Sequence, residues 1–469
     1  MRNRWFTMFL TSVLLTGLAV AGPRPEEKEA LKYPPTRKGD VVEDHHGVRI
    51  ADPYRWLEDP DSTETAAWVE AQNKVTFGYL DRIPVRAKIR ERLTELWNYE
   101  RYGLPFKEGG RYFYTRNDGL QNQSVLYTAD SLGGTPRVLL DPNTLSADGT
   151  ISLAGYDISP DGKWMAYGLA SGGSDWTEWR IRDIATGQDL PDVVRWVKFS
   201  GASWTRDGRG FYYSRYDAPD EKSVLQSVNY YQKLYFHLRG TPQEQDVLVY
   251  QRPDQKEWGF GGGVTEDGRY LAISVWCGTE TNNLFFYQDL GQAGGPVREL
   301  ISKFEASYSF LGNVGPVFYF RTDLDAPLGR VIAIDVTRPG RKSWREILPQ
   351  GKDKLESASL VGGCLVVSYL KDAADEVRVL TMAGKKVRTP KLPGLGSVSG
   401  FHGRQDSPET FYRYSDFTTP GAIYRYDVKT GQQSLFRQPK VDFDPSGYMS
   451  QRVFYPRKDG KRKQIGGLG

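Results

Sequence analysis

Serine is the residue that would give this chain nucleophilic chemistry, and its local setting can be tested directly. An activated serine sits in a strained strand-to-helix turn of the form Gly-x-Ser-x-Gly, which exposes its hydroxyl. Ser203 has Gly201 two residues before it but Thr205 two residues after it, and Ser174 has no glycine two residues after it. No serine of the sequence fits this form, so the residues themselves predict no serine nucleophile.

Histidine is the second residue type that such chemistry needs, because a carboxylate-oriented imidazole must take the serine proton. His45 and His46 are adjacent and precede a turn glycine, which favours turn and surface contacts over a metal site. His237 lies in a predicted strand, where we expect a packed role, and His402 lies on a turn with no identifiable carboxylate partner. The histidines therefore predict neither a triad nor a metal centre.

The composition is that of a globular protein rich in strands. The chain has 469 residues, of which 39% are hydrophobic and 13% are aromatic, and it contains 50 glycines. Aromatic residues favour strands and glycines favour tight turns. The formal net charge is only +4, and we interpret the one basic cluster, Lys458, Arg462 and Lys463, as a solvated tail. We therefore expect no nucleic-acid partner.

The first residues predict a signal peptide. Two arginines precede a mostly apolar run from Trp5 to Val20, and Ala19-Val20-Ala21 is a small-x-small cleavage site. An uncleaved membrane anchor is the alternative, but the apolar run is short for a membrane span. We expect residues 1–21 to be removed, the mature chain to be secreted or periplasmic, and no membrane contact to remain.

Two cysteines, Cys277 and Cys364, are present in the sequence. They could pair in an oxidising compartment, but they lie in separate strand-rich units and form no Cys-x-x-Cys motif. We expect two buried free thiols.

Residues 22–98 are predicted to form an N-terminal arm with two helices. The first helix should begin near Asp61 or Ser62, with Trp68, Val75 and Tyr79 at helical spacing. The second should begin near Pro84, with one apolar stripe made of Val85, Ile89, Leu93 and Leu96.

From about Tyr99 onward the pattern changes to short alternating strands separated by turn signals. Three segments repeat a strand, an Asp-Gly-basic turn and a second apolar strand, at Asp161-Gly162, Asp207-Gly208 and Asp267-Gly268. Units of 40 to 55 residues with about four strands each are typical of propeller blades. The sequence therefore predicts an all-β, seven-bladed β-propeller over residues 99–440, with a pair of β-sandwiches as the alternative. The predicted blades are residues 99–145, 150–196, 197–252, 258–303, 304–350, 354–394 and 396–439.

A glycine-rich run, Gly259-Phe260-Gly261-Gly262-Gly263, could suggest a phosphate-binding loop. It lacks the Lys-Ser/Thr pair and the helix that such a loop requires. Because inner propeller strands need small residues, we interpret it as a strand. We predict no catalytic residue, no cofactor-binding residue, no metal ligand and no cofactor.

Several motifs resemble the N-terminal part of the prolyl oligopeptidase family, from about Tyr33 to about Gly460. The most specific of them is the string Asp52-Pro53-Tyr54-Arg55-Trp56-Leu57-Glu58-Asp59. The others are Tyr33-Pro34-Pro35-Thr36-Arg37, Ser174-Asp175-Trp176, Leu190-Pro191-Asp192, Val197-Lys198-Phe199-Ser200, the segment from Gln232 to His237, Phe417-Thr418-Thr419-Pro420-Gly421, and Val453-Phe454-Tyr455-Pro456 with Lys458-Asp459-Gly460.

The resemblance implies a serine peptidase of short proline-containing peptides, in which a propeller restricts entry to the active site. The α/β-hydrolase domain that carries the Ser-Asp-His triad would follow the propeller. We interpret residues 441–469 as a truncated linker toward that domain, which we expect to be absent from this chain. In the family, a loop after a blade strand can lend an arginine to the peptide, but the matching stretch from Ser274 to Thr279 contains none. Trp276 in that stretch could stack on a substrate, although we expect it to be buried.

Three functions remain open at this point. The chain is the substrate-gating part of a prolyl oligopeptidase-like serine peptidase, inactive alone and completed by a separate hydrolase chain. Alternatively, it is a stand-alone propeller that binds a peptide or protein partner. The third alternative is a truncated product without activity.

Overall fold

The computed structural model describes residues 31–219, 228–292, 294–456, 458–459 and 462–468, the last segment by its backbone alone. The predicted signal peptide lies outside the described residues. The chain divides into two compact units, one up to Leu93 and one from Thr94 onward. Within the described ranges, no helix is both long enough and apolar enough to cross a membrane.

The first unit contains a hairpin, the first predicted helix and most of the second. The hairpin joins β1 (Val42–His45) to β2 (Val48–Ala51), and the helices are α1 (Thr63–Leu80) and α2 (Arg86–Trp97). Ser62 caps α1, because its hydroxyl accepts a hydrogen bond from the Thr65 N–H at 3.0 Å. The Trp68 indole donates to the Thr36 hydroxyl at 2.9 Å, which ties α1 to the extended arm.

The second unit is built from six antiparallel sheets in chain order, called the first to the sixth sheet. The first sheet consists of β3 (Arg101–Tyr102), β4 (Phe106–Glu108), β5 (Arg111–Asn117), β6 (Val125–Ala129) and β7 (Arg137–Leu140). The second consists of β8 (Ile151–Ile158), β9 (Trp164–Ser171), β10 (Thr177–Asp183), β11 (Asp189–Val197), β12 (Ser203–Trp204), β13 (Gly210–Arg215), β14 (Lys233–Leu238) and β15 (Val247–Tyr250).

The remaining four sheets have four strands each. The third consists of β16 (Trp258–Val264), β17 (Tyr270–Cys277), β18 (Leu284–Asp289) and β19 (Arg298–Ile301), and the fourth of β20 (Tyr308–Val314), β21 (Val317–Thr322), β22 (Arg330–Asp335) and β23 (Arg345–Leu348). The fifth consists of β24 (Lys354–Val361), β25 (Cys364–Lys371), β26 (Ala374–Thr381) and β27 (Lys386–Arg388), and the sixth of β28 (Ser397–His402), β29 (Glu409–Ser415), β30 (Ala422–Asp427) and β31 (Gln433–Arg437).

Apolar clusters join each sheet to the next and close the ring. One cluster packs the third sheet on the fourth through Phe285 and Phe320. Four further clusters join the first sheet to the second, the second to the third, the fourth to the fifth and the fifth to the sixth. The ring closes where Tyr112 and Phe411 pack the first sheet against the sixth. Inner strands of successive sheets contact one another around the centre, since β12 contacts β8 and β16, and β24 contacts β20 and β28. The second unit is therefore a propeller with these strands around its channel.

The prediction of seven blades is wrong. Among the described strands there are five separate blades of four or five strands, and the segments predicted as blades 150–196 and 197–252 form one eight-stranded sheet. The joint is the pair Val197↔Arg215 between β11 and β13. Because β12 is only two residues long and pairs with Phe211 and Tyr212, it does not pair with Arg215. Arg215 is therefore available to pair with Val197 at the end of β11. The sheet folds back on itself, since Trp179 and Tyr213 share one core cluster.

The antiparallel order fixes which loops lie at each end of the channel. The turns between the first and second strand of every sheet lie at one end, which we call the turn end. The loops between the second and third strands, and the crossovers to the next sheet, lie at the opposite end, which we call the rim end. The predicted Asp-Gly turns are at the turn end, where Gly162, Gly208 and Gly268 have φ of 69°, 66° and 73°.

A last hairpin joins β32 (Ser450–Pro456) to β33 (Arg462–Leu468). Residues 462–468, which the sequence predicts as part of a linker, therefore form a strand.

Candidate functional site

An aromatic cluster at the rim end is the first candidate site. Trp176 lies in the loop between β9 and β10, with its ring edge-on to Trp196 and Tyr216 at centroid distances of 5.8 and 6.2 Å. The Lys198 ammonium lies 4.3 Å from the centroid of the Trp176 ring. This geometry is a cation–π contact, and it holds the indole in place at the rim end.

Phe199 is the most exposed aromatic residue of this cluster, with 52% of its surface accessible. Its φ is 56° and that of Trp196, near the end of β11, is 62°, so two bulky residues at the exit from β11 occupy the left-handed region. Such a backbone costs roughly 1–3 kcal/mol per residue and persists only where surrounding contacts hold it. The strain keeps the Phe199 ring in solvent, where a ligand can reach it.

Hydrogen bonds from the next strands hold the strained crossover in place. The buried Gln232 donates to the Lys198 carbonyl at 2.8 Å and accepts from the Phe260 N–H at 2.6 Å. The Ser200 hydroxyl accepts from the Ser214 N–H at 2.8 Å. The Lys198 ammonium also donates to the Asn229 side chain at 3.1 Å. Three of the quoted motifs, those with Trp176, Phe199 and Gln232, thus lie together at the rim end. We call the cluster of Trp176, Trp196, Phe199 and Tyr216 the aromatic rim.

A buried ionic network in the second sheet is the second candidate. His237 Nε2 lies 3.0 Å from Asp192 Oδ1, and the Asp246 carboxylate takes the other ring nitrogen. His237 is fully inaccessible to solvent. Burial by itself lowers the pKa of His237, but the hydrogen bonds to Asp192 and Asp246 outweigh it and raise the pKa to about 9. The imidazole is therefore cationic at neutral pH.

Both carboxylates that bind His237 also accept hydrogen bonds from other groups of this part of the chain. Asp246 accepts a hydrogen bond from the Tyr213 hydroxyl at 2.6 Å, and Asp192 accepts from the Gly240 N–H at 2.5 Å. Burial, followed by the charge of Asp246, raises the pKa of Tyr213. An imidazolium held by two carboxylates has no free nitrogen to act as a base for a serine. The expectation that His237 is packed in a strand is correct, and its role is an ionic cross-link.

The other predicted histidines stay apart. His45 lies 3.1 Å from the Glu43 carboxylate on the exposed hairpin, beside His46 in its turn. His402 ends β28 and lines a cavity of about 410 Å³ between the first and sixth sheets, together with Phe106 and Phe411. Among the described residues, no group of three or more His, Cys, Asp or Glu side chains could hold a metal ion.

The glycine-rich run is the inner strand β16, as expected. Trp276 is half-buried, and its indole lies over β16 where a Cβ on Gly259 would overlap it. Gly262 faces the Leu234 side chain in the same way. The run therefore has small residues because aromatic and aliphatic side chains pack directly on its backbone. Trp276 is a packing residue of the third sheet.

Both cysteines are free thiols, but only Cys364 is buried. Cys277 ends β17 at the rim end and is partly exposed. Burial, followed by the charge of Glu257, raises the pKa of the Cys277 thiol. A thiol of raised pKa is a weak nucleophile at neutral pH, so Cys277 is not an activated residue in this setting.

Sequence comparisons give relatives of the same architecture. The family model "Prolyl oligopeptidase, N-terminal beta-propeller domain" matches residues 33–439. A prolyl endopeptidase of Elizabethkingia meningoseptica is 38% identical over 451 residues, which are 96% of this chain and 63% of that protein. The dual function macrocyclase-peptidase POPB of Galerina marginata is 32% identical over 92% of this chain and 63% of its own length. The chain thus spans less than two thirds of the length of these relatives.

Solved structures agree with this assignment. A structure from a structural and mechanistic analysis of two prolyl endopeptidases superposes with a TM-score of 0.85 at 35% identity, over 93% of this chain and 64% of that chain. Prolyl oligopeptidase B from Galerina marginata, bound to a 35mer substrate, gives 0.83 at 31% identity, over 92% and 64% of the two chains. The strand order, the closed ring and the matched residues agree, and the chain belongs to the prolyl oligopeptidase N-terminal β-propeller family.

Proposed function

We propose that this chain is the substrate-gating propeller of a serine peptidase that acts on short proline-containing peptides. Its part is to receive the peptide at the rim end and to limit its size. The nucleophile comes from outside these 469 residues, since they contain no Gly-x-Ser-x-Gly turn. The names of the relatives support the substrate class, and the aromatic rim supports the place of binding.

The exposed, strained Phe199 is the observation that carries this proposal. A large apolar ring that is held in solvent by a strained backbone is typical of a position that binds a ligand rather than of one that packs in a core. Trp176 beside it offers a second apolar surface, and a proline ring is a rigid apolar group that such surfaces can bury. The Lys198 ammonium is held against Trp176 and lends the rim a positive charge for peptide carbonyls or a C-terminal carboxylate.

Binding of a short fluorescent proline-containing peptide tests the proposal. Phe199→Ala should weaken binding about tenfold, because an aromatic contact of this kind contributes about 1.4 kcal/mol. Leu435→Ala is the matched control, since Leu435 is 50% exposed on β31, the outermost strand of the sixth sheet. It should leave the affinity unchanged. Equal affinities of the Phe199→Ala variant and the unsubstituted chain would contradict the proposal.

A further inference from the structure

The seam at which the ring closes, between the first and sixth sheets, carries positive charge in its rim-end half. Tyr112 and Phe411 pack the two sheets together nearer the turn end. Farther along the same strands lie Arg116 of β5 and Arg413 of β29, and Arg437 ends the outer strand β31. All three arginines are half-buried. Because partly buried charges are screened less than exposed ones, the balance of charge in this seam matters.

Two of the arginines lie on the same face of the sixth sheet. Arg413 is paired with Ile423, and Ile423 is paired with Arg437 on the next strand. Paired residues of antiparallel strands point to the same face, and their Cα atoms are about 5 Å apart, which places the two arginine Cα atoms about 10 Å apart. Ile423 shares an apolar cluster with Tyr112 of the first sheet. This face therefore looks into the seam.

The first sheet supplies the opposite wall of the seam. Tyr102 is paired with Arg116, so both side chains lie on one face of that sheet. The guanidinium carbons of Arg437 and Arg116 lie 5.3 and 6.0 Å from the centroid of the Tyr102 ring. Arg413 donates a hydrogen bond to the Tyr102 carbonyl. All three guanidiniums therefore gather around this one tyrosine.

The carboxylates of the seam do not balance these cations. Arg116 lies 2.6 Å from Glu100. Within the described ranges, Arg413 and Arg437 form no ion pair, and their hydrogen bonds go to the carbonyls of Tyr102 and Phe436. Three guanidiniums thus face one carboxylate, an excess of two positive charges. Since a guanidinium has five N–H donors, both arginines keep donors for an anion, and an anion would reduce the repulsion between them.

We infer that the seam binds a phosphate-class oxyanion, inorganic phosphate or a phosphate monoester, between Arg413 and Arg437. A phosphate monoester carries roughly −1.5 to −2 charges at pH 7, which matches the excess, and its oxygens accept paired hydrogen bonds from guanidiniums. The bound anion would join the sixth sheet to Arg116 and Tyr102 of the first and so stabilise the closed ring. The inference goes beyond the proposed function and does not rest on it, because the aromatic rim lies on the second sheet.

Titration calorimetry of the purified chain with inorganic phosphate tests the inference. The ionic strength is held constant with chloride, and phosphate is kept below the millimolar range. At such concentrations the general stabilisation of proteins by phosphate salts, which acts by exclusion from the surface, is negligible. We expect saturable binding at one site. The melting temperature should rise with phosphate concentration, because a ligand that binds only the folded state stabilises it.

Two further ligands distinguish the sources of the phosphate group. Phosphoserine is titrated with serine as its control. Binding of phosphoserine but not of serine would show that the seam takes monoesters, and binding of inorganic phosphate alone would show that it takes the free ion. Either result supports the site. Tighter binding of glutarate, a dicarboxylate, than of both phosphate ligands would overturn the assignment to phosphate.

Three substitutions locate the site. Arg413→Gln and Arg437→Gln should each weaken phosphate binding by at least about tenfold, equal to about 1.4 kcal/mol, because each removes a charged donor. Arg437→Lys keeps the charge but loses the paired donors, so its loss should be smaller. Arg338→Gln is the control, since Arg338 is 79% exposed beside Asp335, and it should leave the affinity unchanged.

Two results would overturn the inference. One is the absence of saturable heat with every phosphate ligand. The other is unchanged affinity in both glutamine variants, because phosphate would then bind elsewhere. If Arg413→Gln does not fold, as judged by its melting curve, the affinity of Arg437→Gln decides alone. Peptide binding is measured on the same variants. Phosphate binding without peptide binding contradicts only the proposed function, and peptide binding without phosphate binding contradicts only the anion site.

Discussion

The Nδ1 atom of His237 lies 2.7 Å from Oδ1 of Asp246, at a position that solvent does not reach. With Asp192 on the other ring nitrogen, this contact joins β14 to β11 and to the residue that precedes β15. A cation between two anions in a dry interior is strongly held only while all three charges are present.

Replacing the histidine should therefore destabilise the propeller. His237→Gln leaves two buried carboxylates without their cation, and we expect the free energy of unfolding to fall by about 3–5 kcal/mol. Denaturant unfolding measures this loss. The exposed pair of His45 and Glu43 provides the control, because His45→Gln should change the stability by less than about 0.5 kcal/mol. A loss below that value for His237→Gln would show that the network contributes little.

The same network predicts a pH dependence with a definite sign. The folded-state pKa of His237 is about 9, above its ordinary value of 6.5. Its contribution to stability is therefore fully present below pH 6.5 and is lost as the pH rises toward 9. The shift corresponds to about 3 kcal/mol. Melting curves of the unsubstituted chain should fall across this window, whereas those of His237→Gln should be flatter. Parallel curves would contradict the assignment of the charge to His237.

The packing of Trp276 on β16 predicts opposite effects at two glycines of one strand. Gly259→Ala places a methyl group into the indole ring and should cost about 1–3 kcal/mol. Gly263→Ala adds the same methyl group in open space and should cost much less. In a Trp276→Ala background the cost of Gly259→Ala should largely disappear, which a double-mutant cycle measures. Equal costs in both backgrounds would mean that Trp276 does not pack there.

The apolar stripe of α2 predicts association. Val85, just before α2, is 53% exposed, and Ile89 and Leu93 within α2 are 53% and 49% exposed. Exposed apolar stripes of this kind promote self-association. We expect dimers or aggregates by gel filtration and binding of a dye that reports apolar surface. The triple change of these three residues to serine should reduce both. The control changes Lys88 and Glu91 to serine on the same helix and should reduce neither. A clean monomer of the unsubstituted chain without dye binding would refute the prediction.

Local features of the fold were predictable from the sequence. The Asp-Gly pairs identified hairpins at Gly162, Gly208 and Gly268 because a two-residue turn with positive φ needs glycine. The two helices follow from the Ser62 cap and the apolar spacing. The pattern also placed most strands, since alternation and turn residues are local properties.

Relations between distant residues were not predictable in this way. The pair Val197↔Arg215 merges two expected blades into one sheet, and it depends on how short β12 is, which no repeat reveals. His237 and Asp192 are 45 residues apart, and Arg404 and Glu266 are farther still. His237 meets Asp192 because the second sheet folds back on itself, and Arg404 meets Glu266 because the ring closes, so these ionic contacts could be recognised only in the structure.

The central claim is that this chain receives a peptide but supplies no nucleophile. The most direct measurement incubates the purified 469-residue chain with a short proline-containing chromogenic peptide and, in parallel, with a serine-reactive fluorophosphonate probe. The account predicts bound but uncleaved peptide and no labelled serine. Turnover of the peptide together with labelling of this chain would contradict it, because a serine outside any Gly-x-Ser-x-Gly turn would then be activated.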